Sequence, residues 1–401
     1  MRRALVTAAL VLAAGCGGGE DAAPRAMAPA LGPAAAEPRA AAGTAGRAVV
    51  EGRRRLGLGG EPHGGVLAPG GRRAAVSVGD RGVLQLVRLG PLRDDRRVET
   101  GTLTWTPFLA WPRPDRLLAL SGGDGMSSSV LVDVDPGRGE TRSLHALEGA
   151  ALAAHGSRLG LVAVLAAPAR LGAAQLLHVG PDGRRRAFRL PRIPAGAEVV
   201  DEATWRMVRR TPGVAVSEAD ARAFVVAPTG PLRIAEVDLR TGRTALHEVS
   251  DGPRLPFGLS AAEAKALDAA TATAHWLGDG RLAVARGVEE ELGPVRPGGL
   301  RIVDVRTWRA RVVDPDAAGL RAAGGRLLVT GRVPGVRAYG LDGRLLWRWR
   351  SPRPVGLWTA PDGSAGADDW SRGLVVPLDA AGRPGRPVPR DRARGALTQP
   401  R

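Results

Sequence analysis

The chain has 401 residues and a formal net charge of +17, from 57 Lys and Arg against 40 Asp and Glu. Lys265 is the only lysine, so the positive charge is almost all arginine, and the single cysteine, Cys16, excludes a disulfide within the chain. The 56 Gly and 32 Pro point to many turns and few helices.

In chain order, the first element is a targeting segment over residues 1–15. Arg2 and Arg3 precede an apolar stretch from Ala4 to Ala14, too short to span a bilayer as a helix. Leu12, Ala13, Ala14 and Gly15 then lead into Cys16. These residues resemble the lipobox of bacterial lipoprotein signals, in which small residues precede a cysteine that receives lipid and becomes the new N-terminus. Ala13 stands where that family most often has Leu. The resemblance implies a lipid anchor on Cys16 and a place on the extracytoplasmic face of the cell membrane. An ordinary secretory signal with a chance cysteine is the alternative. Residues 16–47 are mostly Ala, Pro and Gly without aromatics, a composition that cannot offset its own ordering entropy, and they read as a tether. Residues 391–401 read as a disordered tail, leaving 48–390 for the folded domain.

Within that domain a short turn recurs, each time opening an apolar strand. The segments are Pro69–Val78, Pro112–Leu120, His155–Val162, Glu218–Val226, Leu277–Val284, Ala323–Thr330 and, more weakly, Pro361–Ala367. Recurrence at roughly 40–50 residues is the signature of a repeat array. After most of these strands come a second strand, a tight turn and a third. Val130–Asp135 turns at Pro136–Gly139, Gln175–Val179 at Gly180–Gly183, Leu232–Asp238 at Leu239–Gly242, and Val336–Leu341 at Asp342 and Gly343. Apolar–polar alternation around Asp-Gly and Thr-Gly turns predicts antiparallel hairpins. With one strand ahead of each opening turn, every unit supplies four strands, and stacked units bury one another's faces.

The opening turns Gly278-Asp279-Gly280-Arg281 and Ala360-Pro361-Asp362-Gly363, with the strand turn from Glu236 to Arg243, resemble the repeats of YVTN-type, TolB-type and WD-repeat propellers. The Gly-His and Trp-Asp pairs of true WD repeats are missing. The resemblance implies an all-β fold, a single β-propeller. Seven four-stranded blades are expected, six and eight remaining compatible, with short helical insertions. One insertion is predicted at the capping box Ser260–Glu263 and another over Val199–Arg210. Strand closure is expected from residues 47–51 or 54–58.

Chemistry is sparsely written. His63, His155 and His275 lie near the innermost strands, but alignment on the opening turn does not bring them into one ring, so no metal site is expected. Trp111 and Trp276 align with each other and Trp358 is one register off. Together with His275 they are the candidate residues for binding in the channel or on a face, packing between blades being the alternative. Asp124, Glu202, Asp251 and Asp368 sit at strand ends, where surface carboxylates are the ordinary reading. The chain has no Asn, which removes a common ligand of lactonase-type propellers. Ala338–Trp347 looks like the tryptophan-docking repeat of quinone-dependent dehydrogenases but occurs once. No phosphate loop, metalloprotease helix or serine-hydrolase elbow is present. The expectation is therefore a monomeric, noncatalytic binding or scaffold lipoprotein with no catalytic residue and no cofactor. Its expected partner is an envelope protein or an anionic envelope polymer, not nucleic acid. A lactonase-like hydrolase or, less readily, a quinone-dependent dehydrogenase working in the channel is the alternative.

Overall fold

The computed structural model describes residues 62–78, 81–89, 92–102, 106–122, 125–201, 206–249, 267–290, 295–359, 365–369 and 372–389. Every regular element among them is a strand. The first sheet holds β1 (Pro62–Leu67), β2 (Arg73–Val78), β3 (Val83–Leu89) and β4 (Leu92–Glu99). The second holds β5 (Phe108–Arg113), β6 (Arg116–Leu120), β7 (Val130–Asp135) and β8 (Glu140–Ala146). Next come β9 (Ala150–Ser157), β10 (Gly160–Ala166), β11 (Gly172–Val179), β12 (Arg185–Asp201) and β13 (Arg206–Thr211). A four-stranded sheet follows with β14 (Gly213–Ser217), β15 (Arg222–Val226), β16 (Arg233–Asp238) and β17 (Thr244–Glu248). After it run β18 (Leu267–Gly278), β19 (Arg281–Glu290), β20 (Arg296–Asp304) and β21 (Arg309–Asp314). Two further four-stranded sheets close the order. One has β22 (Ala317–Ala323), β23 (Arg326–Gly331), β24 (Gly335–Gly340) and β25 (Leu345–Arg350). The other has β26 (Gly356–Thr359), β27 (Ala365–Asp369), β28 (Leu374–Leu378) and β29 (Val388–Pro389).

Seven separate four-stranded blades are not what forms. The strands make five four-stranded sheets and one sheet of nine, in the order β21-β20-β19-β18-β13-β12-β11-β10-β9. The reason lies in β12, which runs for 17 residues. Its ladder with β11 jumps register from Ala174↔Leu190 to Ala173↔Pro194. Pro191 and Pro194 have no N–H to give that ladder, so the strand bulges and turns across. It then pairs with β13, and β13 pairs in parallel with β18, joining two meanders that would otherwise be separate. The same strands overturn the helical insertion predicted over Val199–Arg210, which is β12 and β13 wherever it is described. The capping box at Ser260–Glu263, the tether, Cys16 and the proposed closing segments at 47–51 and 54–58 lie outside the described residues.

Interfaces between successive meanders are apolar cores shared by both. Leu161, Ala163 and Leu165 of β10 face Phe108, Leu118 and Leu120 of the preceding sheet. Val162, Val164 and Ala166 of the same strand face Val214, Val216 and Val225 of the following one. A period of two divides one apolar run between two interfaces, which is why β10 is buried along its whole length. Each such Val or Leu contributes about 1.5–3 kcal/mol on burial.

The third-to-fourth hairpins carry a recurrent polar device. Asp135 accepts the N–H groups of Gly137 and Arg138, Asp238 those of Arg240 and Thr241, and Asp304 those of Arg306 and Thr307. These are Asx turns, in which a short carboxylate replaces backbone acceptors. With an ion pair from Arg142 added at 2.7 Å, the Asp135 carboxyl falls to about 2. The turns then serve as acceptors for the sheet before. Arg73 donates to the Pro136 carbonyl at 2.6 Å, Arg116 to Pro181 at 3.3 Å and Arg326 to Ala380 at 2.6 Å. Arginines of fourth strands reach the same kind of turn: Arg96 to Arg138, Arg186 to Leu239 and Arg240, Arg311 to Asp342.

Candidate functional site

The innermost strands surround a cavity of about 40 Å³ lined by Ala153 of β9, Gly213 and Val214 of β14, residues 271–275 of β18 and residues 320–322 of β22, with Thr211 at the end of β13. Small residues let the strands converge. A Cβ on Gly213 would lie only 3.0 Å from the Ala274 nitrogen and the Thr273 carbonyl carbon, so a larger residue would push β14 off β18. By a measure on which one water needs roughly 10–15 Å³, the space holds three or four atoms of ligand or water size.

Its electrostatics are set by a few buried groups. Arg321 of β22 is enclosed by protein yet keeps part of its side chain open to the cavity. Burial lowers its guanidinium to about 10, which leaves it fully charged at neutral pH. Among the described residues it has no hydrogen bond and no ion pair. His155 on β9 is 5% exposed, and burial brings it down to about 4, with His275 adding a smaller electrostatic push. His275 on β18 is lowered to about 4 by burial alone. Both rings are therefore neutral at pH 7, and the Nδ1 of each is buried without a hydrogen-bond partner among the described residues. Three residues before Thr271 on β18, Asp268 forms a buried two-point ion pair with Arg210 of β13 at 3.0 and 3.1 Å, while Arg210 also donates to the Asp268 carbonyl.

The aligned tryptophans go into inter-sheet packing. Trp111 is buried between the first two sheets, with the Arg73 guanidinium 5.4 Å from its ring centroid. Trp276 stacks on Phe224 of the preceding sheet at 5.2 Å and 5°. Trp358 lies on the backbone of β26, and His63 on that of β1; their side chains are outside the described set, as are Asp124, Glu202 and Asp251. Asp368 is buried on β27. Of the candidates whose side chains are described, His275 lines the cavity. His155 and His275 sit close enough to interact electrostatically, while the side chain of His63 lies outside the described residues. No cluster of three or more His, Cys, Asp or Glu able to hold a metal ion occurs among the described residues. Arg321 escaped the sequence reading. Its signal is a lone charge inside the small-residue inner strand Ala317–Ala323, and in an arginine-rich chain that signal is faint.

No protein-family model matches the sequence, and no curated protein matches it. Solved structures do. The dihydro-heme d1 dehydrogenase NirN, in complex with DHE, is similar over 82% of this chain and 66% of its own, at 15% identity and a TM-score of 0.50; this chain thus spans about two thirds of that protein's length. The hydrazine synthase of Kuenenia stuttgartiensis matches over 80% and 96%, at 11% identity and a TM-score of 0.46. Hsv2p of Kluyveromyces lactis matches over 82% and 98%, at 10% identity and a TM-score of 0.42. Likeness at this level speaks to the fold alone. With radially stacked antiparallel sheets and inner strands around a cavity, the chain is a β-propeller.

Proposed function

We propose that this chain is a lipid-anchored propeller of the bacterial cell envelope that binds an anionic envelope polymer without transforming it. The observation that carries the reading is the outer strand β12. Arg185, Arg189 and Arg192 on it are exposed and have no carboxylate partner among the described residues, and Arg184 and Arg186 flank them on the surface. Such a run, on a chain of net charge +17, raises the local concentration of polyanions and speeds their capture. The anchor rests on the lipobox resemblance at Cys16, and the two acyl chains it implies would hold the protein at a membrane surface.

Titrating the purified chain with polyphosphate and with polyglutamate tests the binding step. Affinity that falls steeply with salt, and at least tenfold in an Arg185→Gln/Arg189→Gln/Arg192→Gln variant, is expected. Equal affinity in that variant would remove the assignment of β12. Labelled palmitate should enter the protein in bacterial cells and fail to enter a Cys16→Ala variant; labelling that survives the substitution contradicts the anchor.

A further inference from the structure

We propose that the channel cavity beside Arg321 is a binding site for a small carboxylate. Among the described residues, other inner arginines meet an acceptor. Arg210 has Asp268, Arg286 the Gly230 carbonyl, Arg301 the Gly298 carbonyl, and Arg337 the Asp314 carboxylate at 2.7 Å. Arg321 lines the cavity, is only partly buried where Arg210, Arg286 and Arg301 are buried, and has no acceptor among the described residues. A charged guanidinium that faces a small cavity and has no acceptor of its own is free to take one from outside. The cavity it opens into is the space where such an acceptor fits.

Charge decides the class of anion. His155 and His275 are neutral at pH 7, so the cavity presents one positive charge. A monoanion balances that charge, whereas a dianion leaves a buried negative charge uncompensated. The planar fork of the guanidinium matches a carboxylate in two parallel hydrogen bonds. Thr211 and Thr271 line the same space, and their hydroxyls have no partner among the described residues, so they supply further donors. Ala153, Ala272, Ala322 and Leu320 form the apolar remainder of the wall and suit a short hydrocarbon tail. The size of the cavity restricts that tail to a few atoms. The site needs neither the lipid anchor nor the basic outer strand.

The test is the melting temperature of the full chain in acetate, phosphate and chloride at matched ionic strength and pH 7.5, because a ligand that binds only the folded state raises it. Acetate should give a rise that saturates, larger than that in phosphate and absent in chloride. Arg321→Gln should raise the acetate dissociation constant at least tenfold. In chloride it should melt within a few degrees of the parent, since Arg321 has no partner to lose among the described residues. Arg321→Lys keeps the charge and loses the fork, and should bind acetate with intermediate affinity. The proposal is overturned by an acetate response that persists in Arg321→Gln, by phosphate exceeding acetate, or by no acetate response in the parent. It is equally overturned if Arg321→Gln melts many degrees lower or does not fold, because Arg321 would then be a structural residue.

Discussion

At the rim, Arg73, Arg116 and Arg326 stand at the starts of β2, β6 and β23, and each donates to a turn carbonyl of the following sheet. In the channel, Arg321 on β22 sits between Leu320 and Ala322 and has no acceptor among the described residues. The same residue type thus does opposite work at two radii. Rim turns offer carbonyls because an Asx carboxylate has already taken over their N–H groups and the hairpin projects toward the neighbouring sheet. Arg321 meets no such carbonyl among the described residues, although β22 pairs on one side only, with β23. Arginine at the rim is fastening, and arginine in the channel is a charge in waiting.

The comparison is broken most forcefully at the buried ion pair of β13 and β18. Asp268→Ala leaves Arg210 buried without its carboxylate, and a loss of about 3–5 kcal/mol is expected by denaturant or thermal unfolding. An effect below 1 kcal/mol would mean that the pair reaches water. Next is the pH dependence of the inner histidine. The folded His155 titrates near 4 and its unfolded counterpart near 6.5, so between these values the unfolded state binds the extra proton. Stability therefore falls as pH drops from 6.5 to 4, by on the order of 3 kcal/mol for this residue. In unfolding curves taken at several pH values, His155→Leu should flatten that part of the profile. At the rim the sign is set by a carboxylate. Asp135 titrates near 2, below its ordinary 3.8, so its contribution is complete above 3.8 and is lost as pH falls toward 2.

A smaller effect is expected of the fastening itself. Arg116→Met removes both the bond to the Pro181 carbonyl and the ion pair to Asp133 at 3.0 Å, and should cost about 1–2 kcal/mol. A double-mutant cycle with Asp133→Asn separates the two, and coupling that accounts for the whole loss would leave the carbonyl bond without a role. The smallest change is predicted for Arg383→Gln. Its partner Asp379 lies 2.9 Å away, but the arginine side chain is 82% exposed, so the melting temperature should move by a degree or less.

The hairpins, the opening turns and the all-β class were legible from the chain because their causes are local. Asp238 is followed by Thr241 and Gly242, and that order alone specifies an Asx turn whatever surrounds it. The alternating run of β10 likewise announces burial on two faces before any partner is known. What the residues of Val199–Arg210 would do was not legible. Met207 and Val208 alternate no better than a helix face would, and their strand state comes from pairing with Leu267 and Asp268, some 60 positions away. Trp111 and Trp276 were visible as an aligned pair, but not the neighbours that draw both rings into inter-sheet packing.

Repeat period, turn chemistry and alternation were determined by the sequence itself, since each depends on residues within a few positions of one another. Tertiary structure alone decided that prolines 191 and 194 would send β12 across to join two meanders, and that His155 and His275 would come within electrostatic reach. It also decided which of so many arginines would be left without an acceptor. That property belongs to the space around a side chain, and only the closing of the inner strands creates that space.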